Sequence, residues 1–436
     1  MLKKIFAPSE VFKRFIVGLH LSLSKPQIGH ILRVSEAIIV TEGKKTLSAM
    51  NRECVDAPDE SAVADFFRQS PWSGQEIQRP LRKFVIAYLL LMAEEQGYEP
   101  IISAIIDDST SRKDKDTKKL EGVDWVFDHA AGGKGQTKYC KAGVHINLRL
   151  QIGRYGFTFS WRIYLRKSTV RRLNRDRLLQ DRIRFRSKNN LAREMLKELG
   201  EYLPPEYQVY VLFDRWYSST KLIKYIRRQG WHVIAAMKSN RQLDGINLTK
   251  WAQRLRHKRY TRVTSIAADG TEKTYLVRKI EGQINGYREK VCVIISKRHN
   301  RDTNPKYFLC TDVSLTAQTI LKWYGKRWSI EVEYWYLKQC LGLGDFRVQS
   351  YEAMQRWYAV VYLVLTFLQW LMYESQKSAT PCKSIAEVIR HHREGHAFRL
   401  LKHAVEEGIR TGSVAGVLRR FIVSRQAFSD SEGQSA

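Results

Sequence analysis

The chain has 436 residues, a length that accommodates two or three domains around a large buried core. Apolar residues make up 44% of it, which excludes an intrinsically disordered protein. Lys and Arg number 74 against 44 Asp and Glu, giving a formal net charge of +30, well beyond what solubility requires. A charge excess of this size is typical of proteins that bind a polyanion, most often nucleic acid.

The cysteines and the longest apolar segment exclude two further classes of protein. Six cysteines are scattered along the chain without the CxxC or Cys/His spacing of a zinc site, as in reduced intracellular proteins. The apolar segment 357–373 is near the lower length limit for a membrane span and contains Thr366 and Gln369. We therefore expect a cytoplasmic protein without a membrane partner, in which this segment is a buried core helix.

Residues 1–98 have helical periodicity throughout. The segment "LSKPQIGHILRVSEAIIV" offers Ser24 as a helix N-cap two residues before Pro26, and "LRKFVIAYLLLMAEEQG" ends on Gly97. Apolar residues recur every three to four positions in both segments. The pattern predicts an N-terminal helical domain over 1–98.

After residue 98, short apolar runs alternate with helical segments. "IISAII" ends at Asp107-Asp108, and "QVYVLF" ends at Asp214. Between them, "GVHINLRLQI" and "GFTFSWRIYL" alternate with a period of two and are typical of a hairpin. This order predicts an α/β sheet of mixed direction over 99–239.

The remaining segments differ in composition. An arginine-rich run, 166–188, is either a solvated helix or, as we favour because few acids balance it, a surface for the DNA backbone. Residues 240–312 contain short strand-like segments separated by turns and are predicted to form a β-rich insertion. A helical pattern resumes over 313–350. Residues 351–436 are predicted to be helical with a disordered tail, and the pair His391-His392 is expected at their surface.

The segment "YGKRWSIEVEYWYLK", residues 324–338, combines aromatic, basic and acidic side chains on one predicted helix. At about 100° per residue, four polar residues share a stripe about 60° wide, at about 0°, −60°, −20° and −40°: Tyr324, Arg327, Glu331 and Lys338. Glu333 lies about 180° from Tyr324. Salt bridges at i,i+4 on a solvated face would explain such a stripe. The tryptophans of this helix favour packing of most of its circumference. We therefore prefer the interpretation that the polar stripe faces a polar cleft.

Three carboxylates indicate the chemistry of that cleft: Asp107, Asp214 and Glu331. Both aspartates follow a buried strand, and ligand sites form at such strand ends in open α/β sheets. Alone, each aspartate is explained as a turn or cap residue. Together, three carboxylates can hold two Mg²⁺ or Mn²⁺ ions roughly 4 Å apart, which activate a water or a 3′-hydroxyl. Arg327 and Lys338 would then contact a DNA phosphate.

The spacing Y-(2)-R-(3)-E-(6)-K in this segment resembles the signature of the DDE transposases of bacterial insertion sequences, in the group named for insertion sequence four. "IIDDST" and "VLFDRWYSS" are similar to the regions around the two aspartates of that group. "LSKPQIGHIL" and "DFFRQSPWS" resemble the related branch named for insertion sequence 701. The resemblance implies an RNase H-like catalytic core with a β-rich insertion between the second Asp and the Glu.

The resemblance also implies residue roles and partners. The catalytic, metal-binding triad would be Asp107, Asp214 and Glu331. The signature residues that contact DNA would be Tyr324, Arg327 and Lys338. Asp108 remains an alternative to Asp107, which we favour because it directly follows the apolar run.

A protein of this family would be a cut-and-paste DNA transposase of the bacterial cytoplasm, associated with the nucleoid. It would bind double-stranded terminal inverted repeats through its N-terminal helical domain, act as a homodimer on paired ends and insert into target DNA. Two alternatives stay open: an RNase H-like nuclease that cuts DNA without rejoining it, and a DNA-binding derivative without catalysis. The two enzymes would use the same metal chemistry, so residues alone do not separate them.

Overall fold

The structure is a computed structural model that describes residues 3–57, 59–128, 138–256, 258–266 and 272–421. The tail predicted to be disordered lies outside these ranges. The chain divides into two compact units. The first consists of Met1–Leu81, Ser111–Ala142 and Trp335–Ala436, and the second of Arg82–Thr110 and Gly143–Tyr334.

Helices predominate at both ends of the described chain and alternate with strands between them. The helices are α1 (Glu10–Gly18), α2 (Lys25–Val40), α3 (Leu47–Arg52), α4 (Glu60–Arg68), α5 (Gln75–Glu95), α6 (Lys167–Leu173), α7 (Lys188–Gly200), α8 (Thr220–Arg228), α9 (Leu248–Arg254), α10 (Ala317–Gly325), α11 (Trp328–Trp335), α12 (Tyr351–Ser375), α13 (Ile385–Thr411) and α14 (Val414–Phe421). The strands are β1 (Ile101–Arg112), β2 (Val123–Phe127), β3 (Tyr139–Ile152), β4 (Tyr155–Tyr164), β5 (Gln208–Phe213), β6 (His232–Met237), β7 (Gln242–Leu243), β8 (Ile246–Asn247), β9 (Thr261–Ile266), β10 (Glu272–Gly282), β11 (Val291–Lys297) and β12 (Lys306–Cys310).

The core of the first unit is α12. Every residue of α12 from Trp357 to Gln369 is buried, and Phe12 of α1 packs on Phe367 with ring centroids 4.7 Å apart. The apolar segment 357–373 is therefore a buried core helix, as its sequence predicts. Within the described part of the chain, no helix is long and apolar enough to cross a membrane.

The start of α2 and the end of α5 lie where their sequence predicts. The Ser24 N–H donates to Gln27 Oε1 at 2.8 Å, and the Ser24 hydroxyl accepts from the Gln27 N–H at 3.5 Å. This capping box sets the start of α2, and Pro26 lies in its first turn, where an N–H is not needed. Gly97, after the end of α5, takes the left-handed φ of 61° that glycine tolerates.

A buried carboxylate connects α2 with α13 within the first unit. Glu36 is fully buried, and three side chains of α13 lie near its Oε1: His392 Nε2 at 2.9 Å, His396 Nδ1 at 2.8 Å and Arg399 Nη2 at 3.2 Å. Burial alone would raise the pKa of Glu36, but the hydrogen bonds from both histidines outweigh it and lower the pKa to about 2. The expected surface position of His392 is wrong, because its side chain is only 5% exposed.

The second unit is built on a mixed α/β sheet, which agrees with the class of fold that the sequence predicts. Its strands follow the order β4-β3-β1-β5-β6-β12-β11-β10-β9. β1, β5 and β6 are parallel, and β12 to β9 continue the sheet from β6 in antiparallel pairs. β3 and β4 form the predicted hairpin, with Gly153 at φ 53° in the turn.

β1 is longer than its sequence predicts. The apolar run suggests an end at Asp107, yet the strand continues to Arg112. Only the parallel pairing with β5 stops at Ile106. Residues 107–110 are half-buried rather than part of a turn, because the strand keeps its extended path beyond the end of its parallel partner.

The single helix predicted through residues 324–338 is interrupted. α10 ends at Gly325 and α11 begins at Trp328. Short-range hydrogen bonds carry the backbone across the break, including Arg327 N to Tyr324 O at 3.0 Å. Residues Tyr336–Cys340 are then π-helical. Tight and wide helical turns of this kind are common at functional sites.

Candidate active site

Asp107 and Asp214 occupy equivalent places on two neighbouring parallel strands. The register of β1 and β5 ends with Ile106 opposite Phe213, and each aspartate is the next residue of its chain segment. Neighbouring strands lie about 4.8 Å apart. The sheet therefore brings the two aspartates together at one edge.

Arg327, in the break between α10 and α11, joins Asp107 to Glu331. Its Nη1 lies 2.7 Å from Asp107 Oδ2, and its Nη2 donates to Glu331 Oε1. The hydroxyl of Tyr334 donates to the Asp107 carbonyl at 2.7 Å. These bonds hold α11 against the residue that follows the parallel part of β1.

The pKa values in this cluster are shifted because several carboxylates lie close together in a partly buried position. Burial raises the pKa of Asp107 to about 7, against the attraction of Arg327 and with the added repulsion of Asp108 and Asp214. Burial also raises the pKa of Tyr324 to about 12, again opposed by Arg327 and increased by Asp214 and Asp107. Tyr324 thus lies within electrostatic range of both strand aspartates.

Among the described residues, one buried N–H donor of the Arg327 guanidinium makes no hydrogen bond. The side chain is only 16% exposed, and among the described residues no acceptor lies within hydrogen-bonding distance of its Nε. An unsatisfied buried donor costs about 1–3 kcal/mol. A phosphate oxygen is a ligand that would satisfy it.

Asp108 has a different set of partners. Lys188 Nζ lies 2.6 Å from its Oδ2, and the hydroxyl of Tyr217 donates to its Oδ1 at 2.8 Å. Successive strand residues point to opposite faces, so Asp107 faces Arg327 while Asp108 faces Lys188. Between the two aspartates, the geometry favours Asp107 as the one that works with α11.

Sequence reasoning did not single out Lys188, Tyr217 or Tyr334. Tyr217 could have been noticed because it follows Asp214 by three residues, the distance at which a turn brings a side chain back to the strand end. Lys188 is the last cation of the arginine-rich run and the first residue of α7. Its contact with Asp108 spans 80 residues, so no local pattern indicates it.

Glu333 turns away from this cluster, as its helical angle predicts. It is 2% exposed and accepts hydrogen bonds from Arg149 and Thr158 on β3 and β4. The Glu331 side chain, by contrast, is 35% exposed. Glu333 therefore anchors α11 to the hairpin, whereas Glu331 remains accessible to a ligand.

Lys338 is the remaining residue of the predicted stripe, and tryptophans lie on the same stretch of helix. Lys338 lies in the π-helical segment and belongs to the first unit, where burial lowers its pKa, Asp128 raises it and Arg112 lowers it. The expected packing is wrong for Trp328, which is 54% exposed, and for Trp335, which is 53% exposed. Trp323 of α10 is half-buried.

The donor chemistry suits a divalent cation, although the arrangement is not that of an assembled site. Asp107, Asp214 and Glu331 offer carboxylate oxygens, which Mg²⁺ and Mn²⁺ prefer, and the raised pKa of Asp107 marks a place short of positive charge. Within the described ranges, no three Asp, Glu, His or Cys side chains are grouped to hold a metal ion. Arg327 stands between Asp107 and Glu331 instead. The residues fit a metal once the guanidinium leaves one carboxylate.

Comparison with protein families identifies the chain. A family model described as DDE superfamily endonuclease matches residues 25–276, more than half of the sequence. The chain belongs to the DDE superfamily endonucleases. The matched region of this endonuclease contains Asp107 and Asp214 and ends before α10, so Arg327 and Glu331 lie outside it.

Two further comparisons concern the whole endonuclease. No curated protein matches its sequence. Among solved structures, it is similar to the piggyBac transposase in a synaptic complex with hairpin DNA, with a TM-score of 0.39 and 10% sequence identity. That similarity covers 97% of this chain and 89% of the transposase chain.

Proposed function

We propose that this DDE endonuclease is a cut-and-paste DNA transposase of the insertion-sequence-four group, in the branch that resembles insertion sequence 701. One observation carries the proposal: Arg327 contacts both Asp107 and Glu331, although 220 residues separate it from Asp107. The arginine of the Y-R-E-K signature thus links the glutamate of the signature to the first strand aspartate. The register of β1 and β5, which sets Asp214 beside Asp107, supports the same assignment.

In this proposal the metal ligands and catalytic residues are Asp107, Asp214 and Glu331. These carboxylates would hold two Mg²⁺ ions, or Mn²⁺ in their place, which would activate a water or a 3′-hydroxyl and stabilise the leaving oxygen. The sheet edge fixes the two aspartates, and α11 brings the glutamate to them. Arg327 turns from one carboxylate to the scissile phosphate, where its Nε gains an acceptor. The residues that contact DNA are Tyr324, Arg327 and Lys338.

The rest of the chain serves binding and assembly. The helical domain 1–98 binds the double-stranded terminal inverted repeats, and the protein acts as a homodimer on paired ends at the bacterial nucleoid. The core is RNase H-like, with its first part over 99–239, the β-rich insertion over 240–312 and the catalytic helix over 313–350. The helices of 351–436 complete the protein. The net charge of +30 supports DNA as the partner.

Two other functions each have an observation in their favour. An RNase H-like nuclease that cuts without joining needs no more than the endonuclease family membership. A DNA-binding derivative without catalysis would keep Arg327 permanently between Asp107 and Glu331, as the structure has it. The positive charge of the chain is common to all three functions.

A cleavage and joining assay separates these functions. The purified protein is incubated with Mg²⁺, a duplex that carries the element's end and a target plasmid. Glu331→Gln is expected to abolish cleavage and joining, while Glu201→Gln, at the exposed end of α7, retains both. Glu333 is not a suitable control, because its substitution leaves Arg149 buried without its carboxylate.

Each outcome of the assay assigns one function. Cleavage and joining by the wild type, both lost in Glu331→Gln, support the transposase. Cleavage without joined products supports the nuclease. Binding of the end without cleavage, unchanged by Glu331→Gln, supports the DNA-binding derivative.

A further inference from the structure

Residues 174–183 form a closed loop between α6 and α7 in the second unit. The side-chain amide of Asn174 donates to Ile183 O at 2.8 Å, and its Oδ1 accepts from the Ile183 N–H at 2.9 Å. One side chain thus makes both hydrogen bonds that a paired backbone would make. The two ends of the loop are held together, and its tip projects as a compact unit.

The tip of this loop exposes two consecutive leucines. Leu178 is 65% exposed and Leu179 is 79% exposed. A 3₁₀ turn over Leu179–Asp181, with Asp181 N donating to Leu178 O at 3.0 Å, gives the pair a defined geometry. Single exposed leucines are common on protein surfaces. Two adjacent ones on a projecting, hydrogen-bonded turn form an apolar edge.

Positive charge lies mainly on either side of the loop. The run 166–188 contains ten basic and two acidic residues, a net charge of +8, of which the loop 174–183 itself carries only +1 because it holds both Asp176 and Asp181. Arg175 and Arg182 flank the turn on either side, and both are exposed. A second copy of this basic chain would be repelled by the run as a whole, whereas a polyanion would be attracted to it.

The loop is close enough to the candidate active site to contact the same DNA duplex. Lys188 Nζ lies 2.6 Å from Asp108 Oδ2, next to Asp107. The nine backbone steps from Leu179 to Lys188 span at most about 32 Å when fully extended. One turn of duplex DNA is about 34–36 Å long. The leucine tip therefore lies within about one helical turn of the sheet edge that carries the aspartates.

We propose that the loop 174–183 is a DNA wedge. Its arginines bind phosphates on both sides of one base step, and Leu178 and Leu179 insert at that step, unstack it and bend the duplex. Apolar side chains flanked by cations act in this way in proteins that bend DNA. The proposal rests on the proposed function, because it takes duplex DNA at the Asp107 edge as the ligand.

The test measures DNA shape without cleavage. The full chain, with Ca²⁺ in place of Mg²⁺, is mixed with a linear duplex that carries a fluorophore at each end and 2-aminopurine at successive positions. Two duplexes are compared, one from the boundary of the element and one of unrelated sequence. The variants are Leu178→Ser with Leu179→Ser, Asn174→Ala, and Arg175→Gln with Arg182→Gln. Leu401→Ser, at an exposed position of α13, is the control.

The wild type and Leu401→Ser are expected to shorten the end-to-end distance and to increase 2-aminopurine fluorescence at one step. The double leucine variant loses both signals and binds about tenfold more weakly, with an unchanged salt dependence. Asn174→Ala weakens both signals although the leucines remain. The double arginine variant lowers the slope of log K against log salt by about two. If both duplexes show shortening and increased fluorescence, the wedge acts on any duplex. If only the duplex from the element's boundary shows them, the wedge is specific for the element's end.

Three results would overturn the wedge. One is a double leucine variant that folds, binds and bends DNA as the wild type does. A second is a wild type that binds DNA without bending or unstacking it. The third is a change in self-association instead of DNA shape, which would assign the leucines to a protein contact. This experiment measures no cleavage. A wild type that fails the separate cleavage and joining assay would therefore disprove the transposase and leave the wedge result valid.

Discussion

Arg327 and Asp107 form an ion pair, with 2.7 Å between Nη1 and Oδ2, across 220 residues of sequence. The pair docks the break between α10 and α11 onto β1 at the point where its parallel partner ends. One positive charge does not fully compensate this edge, since the pKa of Asp107 is still raised to about 7. A cation bound at this edge would stabilise the ionised carboxylates further.

Replacement of Asp107 is expected to stabilise the metal-free protein at high pH. Its folded pKa of about 7 lies above the ordinary value of 3.8, so its favourable contribution is complete below about pH 3.8 and is lost as the pH rises through 7. At pH 8, Asp107→Asn should raise the free energy of unfolding by at most about 4 kcal/mol. Urea unfolding at pH 4 and pH 8 measures the difference.

Asp108→Asn is the matched control for that measurement. It removes the carboxylate from Lys188 and Tyr217, so we expect a loss of stability at pH 8. A lower stability of Asp107→Asn at pH 8 would contradict the assignment of Asp107 as the strained carboxylate.

Arg327 is expected to contribute a single phosphate contact to DNA binding. Arg327→Ala should reduce the slope of log K against log salt by about one, and Arg327→Lys should restore charge without restoring cleavage, because lysine cannot bridge two acceptors as a planar guanidinium does. Titration of a labelled duplex at several salt concentrations gives the slope. Lys402→Ala, on the exposed surface of α13, should leave cleavage unchanged. Full cleavage by Arg327→Lys would show that the bidentate geometry is dispensable.

The buried pair of Glu333 and Arg149 is expected to matter for stability and not for chemistry. Glu333→Ala leaves Arg149 with an uncompensated buried charge and should lower the free energy of unfolding by about 3–5 kcal/mol. Arg149→Met combined with Glu333→Leu should recover most of that loss, because apolar side chains of similar volume replace buried ion pairs well. The urea midpoints of the wild type, of Glu333→Ala and of the double variant measure these changes in stability. Equal instability of the single and double variants would mean that Glu333 has another role.

Glu36 is expected to make the stability of the protein depend on acid pH. Its folded pKa of about 2 lies below the ordinary 4.5, so its contribution is complete above about pH 4.5 and is lost as the pH falls towards 2. Glu36→Gln should therefore remove about 3 kcal/mol at pH 7 and flatten the loss of stability between pH 5 and pH 2. Glu42→Gln, an exposed neighbour beyond α2, is the control. An unchanged acid profile in Glu36→Gln would exclude the buried network as its source.

Much of the site could be predicted from short stretches of sequence. "IISAII" and "QVYVLF" are strands because β-branched and aromatic residues form continuous buried runs, and their ends locate Asp107 and Asp214. The helical period separates Glu331 from Glu333, and the structure places Glu331 beside Arg327 and Glu333 in the interior. Ser24 and Gly97 mark helix ends by their local chemistry. These features depend on neighbours within about one turn or one strand.

The tertiary structure decided which of these residues meet. The sequence favours Asp107 over Asp108 only because it directly follows the apolar run, whereas contacts with Arg327 and Lys188, 220 and 80 residues away, distinguish the two side chains. The break between α10 and α11, which holds Arg327, is not indicated by the helical period of the segment. Long-range ion pairs and helix breaks are set by the packing of distant elements. The sequence by itself determined most strands and helices and the candidate carboxylates. The packing decided the length of β1, the break between α10 and α11, and which charges are paired, buried or available to a ligand.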